Sequence, residues 1–271
     1  MHEILPHLPR ESRVLDLGSR FGSFDRDAYP FTTIRLDIEG APGGTSRNVV
    51  QADAARLPFR DHVFHALIAN HSLEHFGNLD ACLREIGRVI KPQAALYVAV
   101  PDAGTLSDRL YRWLGRGGGH VNPFTSAAAL GRRITQATGL PHVGTRVLCT
   151  SFSFLNRKTW VAPPPKRVFL VGGGNELWLV VWNYLFRLWD RLLETRLAVY
   201  GWALYFGSIP AAIDPTPWVN VCVRCGSGHQ ASSLLAVGIV TRKLGWVQVY
   251  RCPRCGATNL FWGRRISYKT S

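Results

Sequence analysis

Two cysteine pairs, Cys222-Val-Arg-Cys225 and Cys252-Pro-Arg-Cys255, are separated by 26 residues, and each is followed by a glycine. Four thiolates offered pair by pair suit the closed tetrahedral site of a structural zinc ion, and the glycines free backbone amides to bond the sulfurs. A second chemistry is written near the other end, in Val14-Leu15-Asp16-Leu17-Gly18-Ser19-Arg20-Phe21-Gly22. An apolar run that breaks into glycines is how a parallel strand turns into a nucleoside- or phosphate-binding segment. Gly18 lets the backbone approach a ligand, and Gly22 lets a following helix pack closely. Nineteen residues past Gly18, Asp37 closes the next apolar run, where it is placed to accept hydrogen bonds from both hydroxyls of a ribose.

The elements that must carry these groups follow from the apolar pattern. Runs at Arg13–Gly18, Thr33–Ile38, Asn48–Asp53, Val63–Asn70 and Ala94–Pro101 predict strands, with helical patterns between several of them. That alternation predicts an α/β fold with a Rossmann-like, mostly parallel sheet. The clearest helix is Leu79–Lys91: Leu79, Cys82, Leu83, Ile86, Val89 and Ile90 share one face, Asn78 caps the start and Pro92 ends it. Further helices are expected over Thr105–Leu114 and Ser126–Thr138, the second stopped by Gly139, with a flexible glycine-rich loop over 115–119 between them. Gly201–Gly207 predicts the last strand of the sheet. Cys82 and Cys149 sit in apolar runs and read as buried hydrophobes.

Together these segments resemble the class I S-adenosylmethionine-dependent methyltransferases, and within them the small-molecule branch called type 11. The resemblance covers roughly residues 10–155. It rests on Val14 to Gly22, Asp37, Gln51-Ala-Asp53-Ala54-Ala-Arg-Leu-Pro-Phe59, Asn70-His71-Ser-Leu-Glu74-His75-Phe76 and Arg84-Glu-Ile-Gly-Arg-Val-Ile-Lys-Pro92. It implies a cofactor, S-adenosylmethionine, with Asp16, Gly18, Ser19 and Gly22 at its methionine end, Asp37 at the ribose, Asp53 and Ala54 at the adenine, and Asn70 beside them. Arg20 stands where the family usually has a middle glycine, and it would tighten the methionine end. The acceptor would be a small molecule, a glycan or a lipid-linked compound.

The chain of 271 residues carries a formal charge of +14. Residues 211–271 hold eight Lys/Arg against one Asp/Glu, so this short part has half of the excess. Such a balance favours an anionic contact, whether acidic lipid headgroups, a phosphorylated substrate or RNA. Two alternatives to the small-molecule enzyme therefore stand: an RNA methyltransferase whose basic zinc ribbon holds RNA, and a non-catalytic methyltransferase-like adaptor. The expected division is a methyltransferase domain over 1–210, a linker over 211–217 around Asp214-Pro-Thr-Pro217, and a zinc ribbon over 218–271. Leu234–Thr241 and Gly245–Tyr250 would form the hairpin strands of the ribbon, with His229 on its surface. Cysteines spaced for metal, and a start without a basic and apolar leader, point to the cytoplasm.

The stretch 177–200 is unusual. On a helix Asn183, Arg187, Asp190, Arg191 and Glu194 form one narrow stripe, and the rest up to Leu193 is apolar, including Trp178, Trp182 and Trp189. An apolar arc this wide exceeds what one side of a domain buries. It packs on the sheet and a homodimer mate, or lies at a membrane surface.

In an open α/β sheet a ligand lies beyond the carboxyl ends of the strands. That places His71, His75, Asp102 and His120 toward the reacting group. Histidine takes protons near neutrality, and His120, on the glycine-rich loop, is the first candidate for a catalytic base, ahead of His75.

Overall fold

The computed structural model describes residues 1–19, 21–40, 48–114, 119–159, 175–243, 247–264 and 266–268. Arg20, Gly115 to Gly118, Pro163 to Pro165 and Gly172 to Gly174 lie outside them, and so do the expectations attached to these positions.

Seven strands form the central sheet: β1 (Arg13–Leu17), β2 (Thr32–Asp37), β3 (Val49–Gln51), β4 (Phe64–Asn70), β5 (Ile90–Pro101), β6 (His142–Cys149) and β7 (Val199–Gly207). Their order is β3-β2-β1-β4-β5-β7-β6. Only β7 is reversed, running antiparallel to both β5 and β6. The expected last strand is thus last in the chain but inserted between its neighbours in space.

The two faces of the sheet differ because residues alternate along each strand. On one face Leu67, Leu96, Val98, Trp202 and Leu204 meet α1 (Leu79–Val89) and α3 (Ala127–Thr138) in the main core. The opposite face is lined by small residues, Ala66, Ala95, Ala99 and Ala203, with Tyr97 and Tyr205 between them. There the cover is Ile4, Leu5 and Phe31, from segments with no α-helix among the described residues. Arg146 of β6 ties this cover together, bonding the Glu3 carboxylate, the Tyr205 hydroxyl and the Asp214 carbonyl.

Capping follows the sequence. Asn78 Oδ1 accepts from Ala81 N at the start of α1, Ser126 Oγ accepts from Ala129 N at the start of α3, and Gly139 ends α3 at φ 72°. Three expectations are corrected. No α-helix follows β1 among the described residues; the chain makes only a 3-10 turn over Arg26–Ala28, so Gly22 packs against the Arg35 guanidinium and not a helix. Helix α1 stops at Val89, ahead of Lys91, because Ile90 already pairs with Phe64 as the first residue of β5, leaving Pro92 inside a strand. Leu234 belongs to a short helix, α5 (Ala231–Ala236), rather than to a hairpin strand.

Beyond the sheet lie α2 (Leu106–Leu114) and α4 (Glu176–Leu193). Helix α4 is inside out. Asn183, Arg187 and Asp190 are only 1 to 2% exposed, whereas Trp178, Trp182, Trp189 and Leu192 are 46 to 69% exposed. Asn183 and Asp190 are engaged there: Asn183 Nδ2 donates to the Ser151 carbonyl, and the Asp190 carboxylate accepts from Leu197 N, Ala198 N, Thr195 Oγ1 and Tyr268 Oη, while Arg187 Nε and Nη2 are buried without a hydrogen-bond partner among the described residues.

After β7 come β8 (Asn220–Val221) paired with β9 (Gly228–His229), and a second small sheet, β10 (Val240–Lys243), β11 (Val247–Arg251) and β12 (Thr258–Leu260). This part is fastened to the body. Arg224 reaches both oxygens of Glu176 at 2.9 and 2.7 Å, Asn156 Nδ2 donates to the Val223 carbonyl, and Trp262 packs edge-on against Tyr184 of α4. No described helix is long and apolar enough to cross a membrane.

Candidate functional site

The carboxyl ends of β1 to β5 share one edge of the sheet, and two different neighbourhoods meet there. In the first, Gly18 follows β1 at φ 68° and its amide donates to the Leu36 carbonyl of β2. A β-carbon at Gly18 would stand 2.5 Å from that of Ser72, so only glycine lets this loop lie on the loop after β4. Asp16 is fully buried, and its two oxygens accept from the amide and hydroxyl of Ser23 at 2.8 and 2.6 Å. Burial pushes its carboxyl above the usual range, and the Ser23 bonds oppose that shift. Asp16 thus holds the loop from beneath. Ser19 does the same, its hydroxyl donating to the Asp16 carbonyl. Asp37, at the tip of β2, spends Oδ1 on the Glu39 amide and keeps Oδ2 without a partner among the described residues. Asp53 is exposed, its Oδ1 accepting from Ala55 N, next to buried Ala54; Asn70 closes β4, half-buried.

The second neighbourhood begins one residue later. His71 adopts φ 55°, a left-handed conformation uncommon outside glycine, and its Nδ1 is buried without a hydrogen-bond partner. Burial, with the charges of His120 and His75 nearby, lowers its pKa to about 4, so the ring is neutral at physiological pH. Glu74 is 1% exposed, its Oε2 lacks a partner, and burial raises its carboxyl to about 7. The backbone of Glu74 in turn accepts from Val121 N and Asn122 N, which stitches the His120 loop across this segment.

His75 and His120 meet here with ring centroids 4.9 Å apart. Each ring has its Nδ1 engaged: His75 with the Gly119 carbonyl at 3.0 Å, His120 with Asp108 Oδ1 at 3.0 Å. The carbonyl can only accept, so His75 Nδ1 carries its proton, and an ionised Asp108 fixes the same tautomer in His120. Both Nε2 atoms are then left as acceptors. Asp108 also receives Arg112 Nε at 2.6 Å. One ligand-type atom from each of Glu74, His75 and His120 lies within 4.8 Å of the others. Tyr111 lies against His120 and Tyr200 against His71, at 5.3 and 5.1 Å. A cavity of about 230 Å³ opens beside His120, lined also by Pro101, Asp108, Asn122 and Phe124.

Of the four groups expected at this edge, His71, His75 and His120 come together. Asp102 does not join them: it is buried, its oxygens taken by Gly104 N and Arg196 Nη2. Asp108 and Tyr200 escaped the sequence reading, because only the fold brings a residue of α2 and one of β7 to His120 and His71.

A separate cluster joins the four paired cysteines. Cys222 and Cys255 sulfurs lie 3.5 Å apart, Cys225 and Cys252 sulfurs 3.6 Å, and all four are within 4.8 Å of one another. Tetrahedral thiolates around zinc stand about 3.8 Å apart, from a Zn–S bond of about 2.3 Å. The donor set therefore fits such an ion. Arg224 N and Asn259 Nδ2 donate to the Cys222 sulfur. His229 is not a surface residue: it is half-buried with Nε2 3.5 Å from Cys252 Sγ.

The first neighbourhood and part of the second lie within the span that resembles known proteins. Residues 15–98 match a methyltransferase domain of type 11. Among curated proteins, the malonyl-[acyl-carrier protein] O-methyltransferase of Methylococcus capsulatus is 30% identical over 132 residues, 44% of this chain and 48% of that protein. A demethylmenaquinone methyltransferase of Corynebacterium kroppenstedtii is 46% identical over 57 residues, 20% of this chain and 25% of its own length. The chain spans less than half the length of the curated relatives it matches. In fold, a Galdieria sulphuraria protein provisionally described as a sarcosine dimethylglycine methyltransferase superimposes with a TM-score of 0.51 at 17% identity, over 76% of this chain and 82% of that one. Residues 15–98 are thus similar to a methyltransferase domain, and the chain shares with the Galdieria protein a fold built on a mostly parallel sheet, here of seven strands.

Proposed function

We propose that this chain transfers the methyl group of S-adenosylmethionine to a small-molecule, glycan or lipid-linked acceptor held against His71, Glu74, His75 and His120. The observation that carries this is the contact of Gly18 with Ser72, which sets the glycine loop of the matched domain against the loop bearing the histidines. The matched relatives are compatible with a small or lipid-linked acceptor. On this reading Gly18 admits the methionine end and Gly22 with Ser19 and Asp16 shapes the loop around it. Asp37 Oδ2 takes the ribose, Asp53 and Ala54 flank the adenine, and Asn70 closes the floor.

When bound, S-adenosylmethionine supplies an activated methyl group, so the protein's task is mainly positioning in a site that excludes water. His120, oriented by Asp108, accepts the acceptor's proton at Nε2 as the lone pair attacks; His75 stands behind it as the second candidate. Neutral His71 and the Tyr200 hydroxyl, whose pKa burial raises, orient the acceptor. Calorimetry with S-adenosylmethionine and its demethylated product tests the cofactor half directly: no heat of binding to the full chain would sink the enzyme reading and leave the adaptor.

The four cysteines hold a structural zinc in this reading, and residues 218–271 act as a zinc ribbon joined through 211–217 to a methyltransferase domain over 1–210. Metal analysis is expected to return about one zinc per chain, and Cys252→Ser to lose it together with the fold of this part. We place the protein in the cytoplasm, with peripheral membrane contact through 177–200.

A further inference from the structure

Resting on the methyltransferase reading, we infer that α4 lies on an anionic membrane and that the acceptor is a lipid-anchored molecule whose apolar chain runs from that surface to His120 along an aromatic row.

The row is continuous. Trp182 on the exposed face of α4 meets Phe186 at 5.8 Å, Phe186 meets Phe152 at 5.5 Å, Phe152 meets Phe154 at 6.2 Å, Phe154 meets Tyr111 at 5.4 Å, and Tyr111 meets His120 at 5.3 Å. Phe186, Phe154 and Tyr111 are half-buried, and Phe152 between them is buried in a small core with Leu114, Leu155, Leu179 and Val223. Such a track suits hydrocarbon and offers a polar acceptor little until it reaches the histidines. It ends at the cavity beside His120, where a reactive headgroup would sit.

Three observations select a membrane as the occupant of the α4 face. The outward side carries three indoles, Trp178, Trp182 and Trp189, on a helix without the length and hydrophobicity to span a bilayer. Indole rings prefer the headgroup boundary, where one edge is apolar and the other wet. Exposed cations stand at both ends of the helix: Arg157 and Lys158 beside its start, where Lys158 Nζ lies 3.5 Å from Glu176, and Arg191 in its last turn. Basic groups flanking an apolar face complement acidic lipid headgroups. A second copy packed antiparallel on this face would set Arg157 and Lys158, the latter paired with Glu176, beside Arg191 and Glu194 of the other copy and so gain no net charge complementarity, whereas an anionic surface attracts the cations at both ends.

The test uses the full chain with phosphatidylcholine vesicles containing phosphatidylglycerol, one acyl chain of which ends in a photoreactive diazirine. Cofactor calorimetry is run in parallel. Cosedimentation is expected, and replacing exposed Trp178 and Trp182 together by Ser is expected to lower the bound fraction roughly tenfold or more without changing the melting temperature. Illumination should label peptides containing Tyr111 or Phe154 as well as α4. Labels confined to α4 would overturn the acceptor assignment. A chain that binds cofactor but stays in the supernatant, as a dimer or with RNA in place of vesicles, would overturn the whole inference while leaving the methyltransferase reading intact. Vesicle binding by a chain that takes no cofactor would remove the reading beneath it.

Discussion

Two regions share the carboxyl edge of the sheet and are built on opposite principles. Around Asp37 and Asp53 the side chains are relaxed and reachable by water, each carboxylate half satisfied by its own loop. Around His71 and Glu74 they are strained, desolvated and missing partners. A ligand adds bonds to the first region with little rearrangement. In the second, the protein itself bears a cost in backbone strain and desolvation, which on the proposed reading makes the site ready for a reacting group rather than for a tight hold.

The largest expected effect falls on the strained side. Once an acceptor is known, His120→Ala should lower turnover by about 10²- to 10⁴-fold with cofactor affinity nearly unchanged, as for a lost general base. A drop below about tenfold would make His120 a loop anchor and erase the chemical half of the contrast.

Glu74 gives the next effect, in stability. Its carboxyl is raised from 4.5 to about 7, so between these values the folded chain keeps a proton that the unfolded chain releases. Stability from this group is complete below pH 4.5 and is lost as pH rises through 7. The loss is of order 3 kcal/mol, at about 1.4 kcal/mol per pH unit. His71, lowered to about 4, works the other way: the unfolded chain gains a proton below 6.5 that the folded one refuses, so its contribution is lost as pH falls toward 4. Urea unfolding at a series of pH values should show Glu74→Gln gaining on the wild type from pH 4.5 to 7, then running parallel to it. Parallel curves throughout would mean that Glu74 is not desolvated.

On the relaxed side the change is smaller. Asp37→Ala should weaken S-adenosylmethionine binding by about 1.5–3 kcal/mol, the scale of charge-assisted hydrogen bonds.

Much of this edge was readable beforehand because parallel strands advertise themselves as apolar runs ending in glycine, acid or histidine. The cap at Asn78 was readable for the same local reason, since it depends on a residue three positions away, whereas Ser126, expected as the first residue of its helix, caps it instead. What was not readable depends on distant partners. The end of α1 is set by Phe64, 26 positions before Ile90, and not by the nearby proline. Periodicity located the polar stripe of α4 but not its direction. Asn183, Arg187 and Asp190 face inward, where Asn183 and Asp190 bond the backbone at Ser151, Leu197 and Ala198, while Arg191 and Glu194 of the expected stripe stay exposed. Asp108 reaches His120 through the docking of α2, which no spacing along the chain records.

The contact at Gly18 carries a consequence for how the two pockets fill. The loop after β1 rests on Ser72 with no room for a side chain between them, and Ser72 is bonded directly to strained His71. A molecule that fills the first loop therefore pushes on the hinge of the second. On the proposed reading the two pockets are coupled, and because coupling is reciprocal an acceptor should change the affinity for S-adenosylmethionine by the same factor as S-adenosylmethionine changes the affinity for the acceptor.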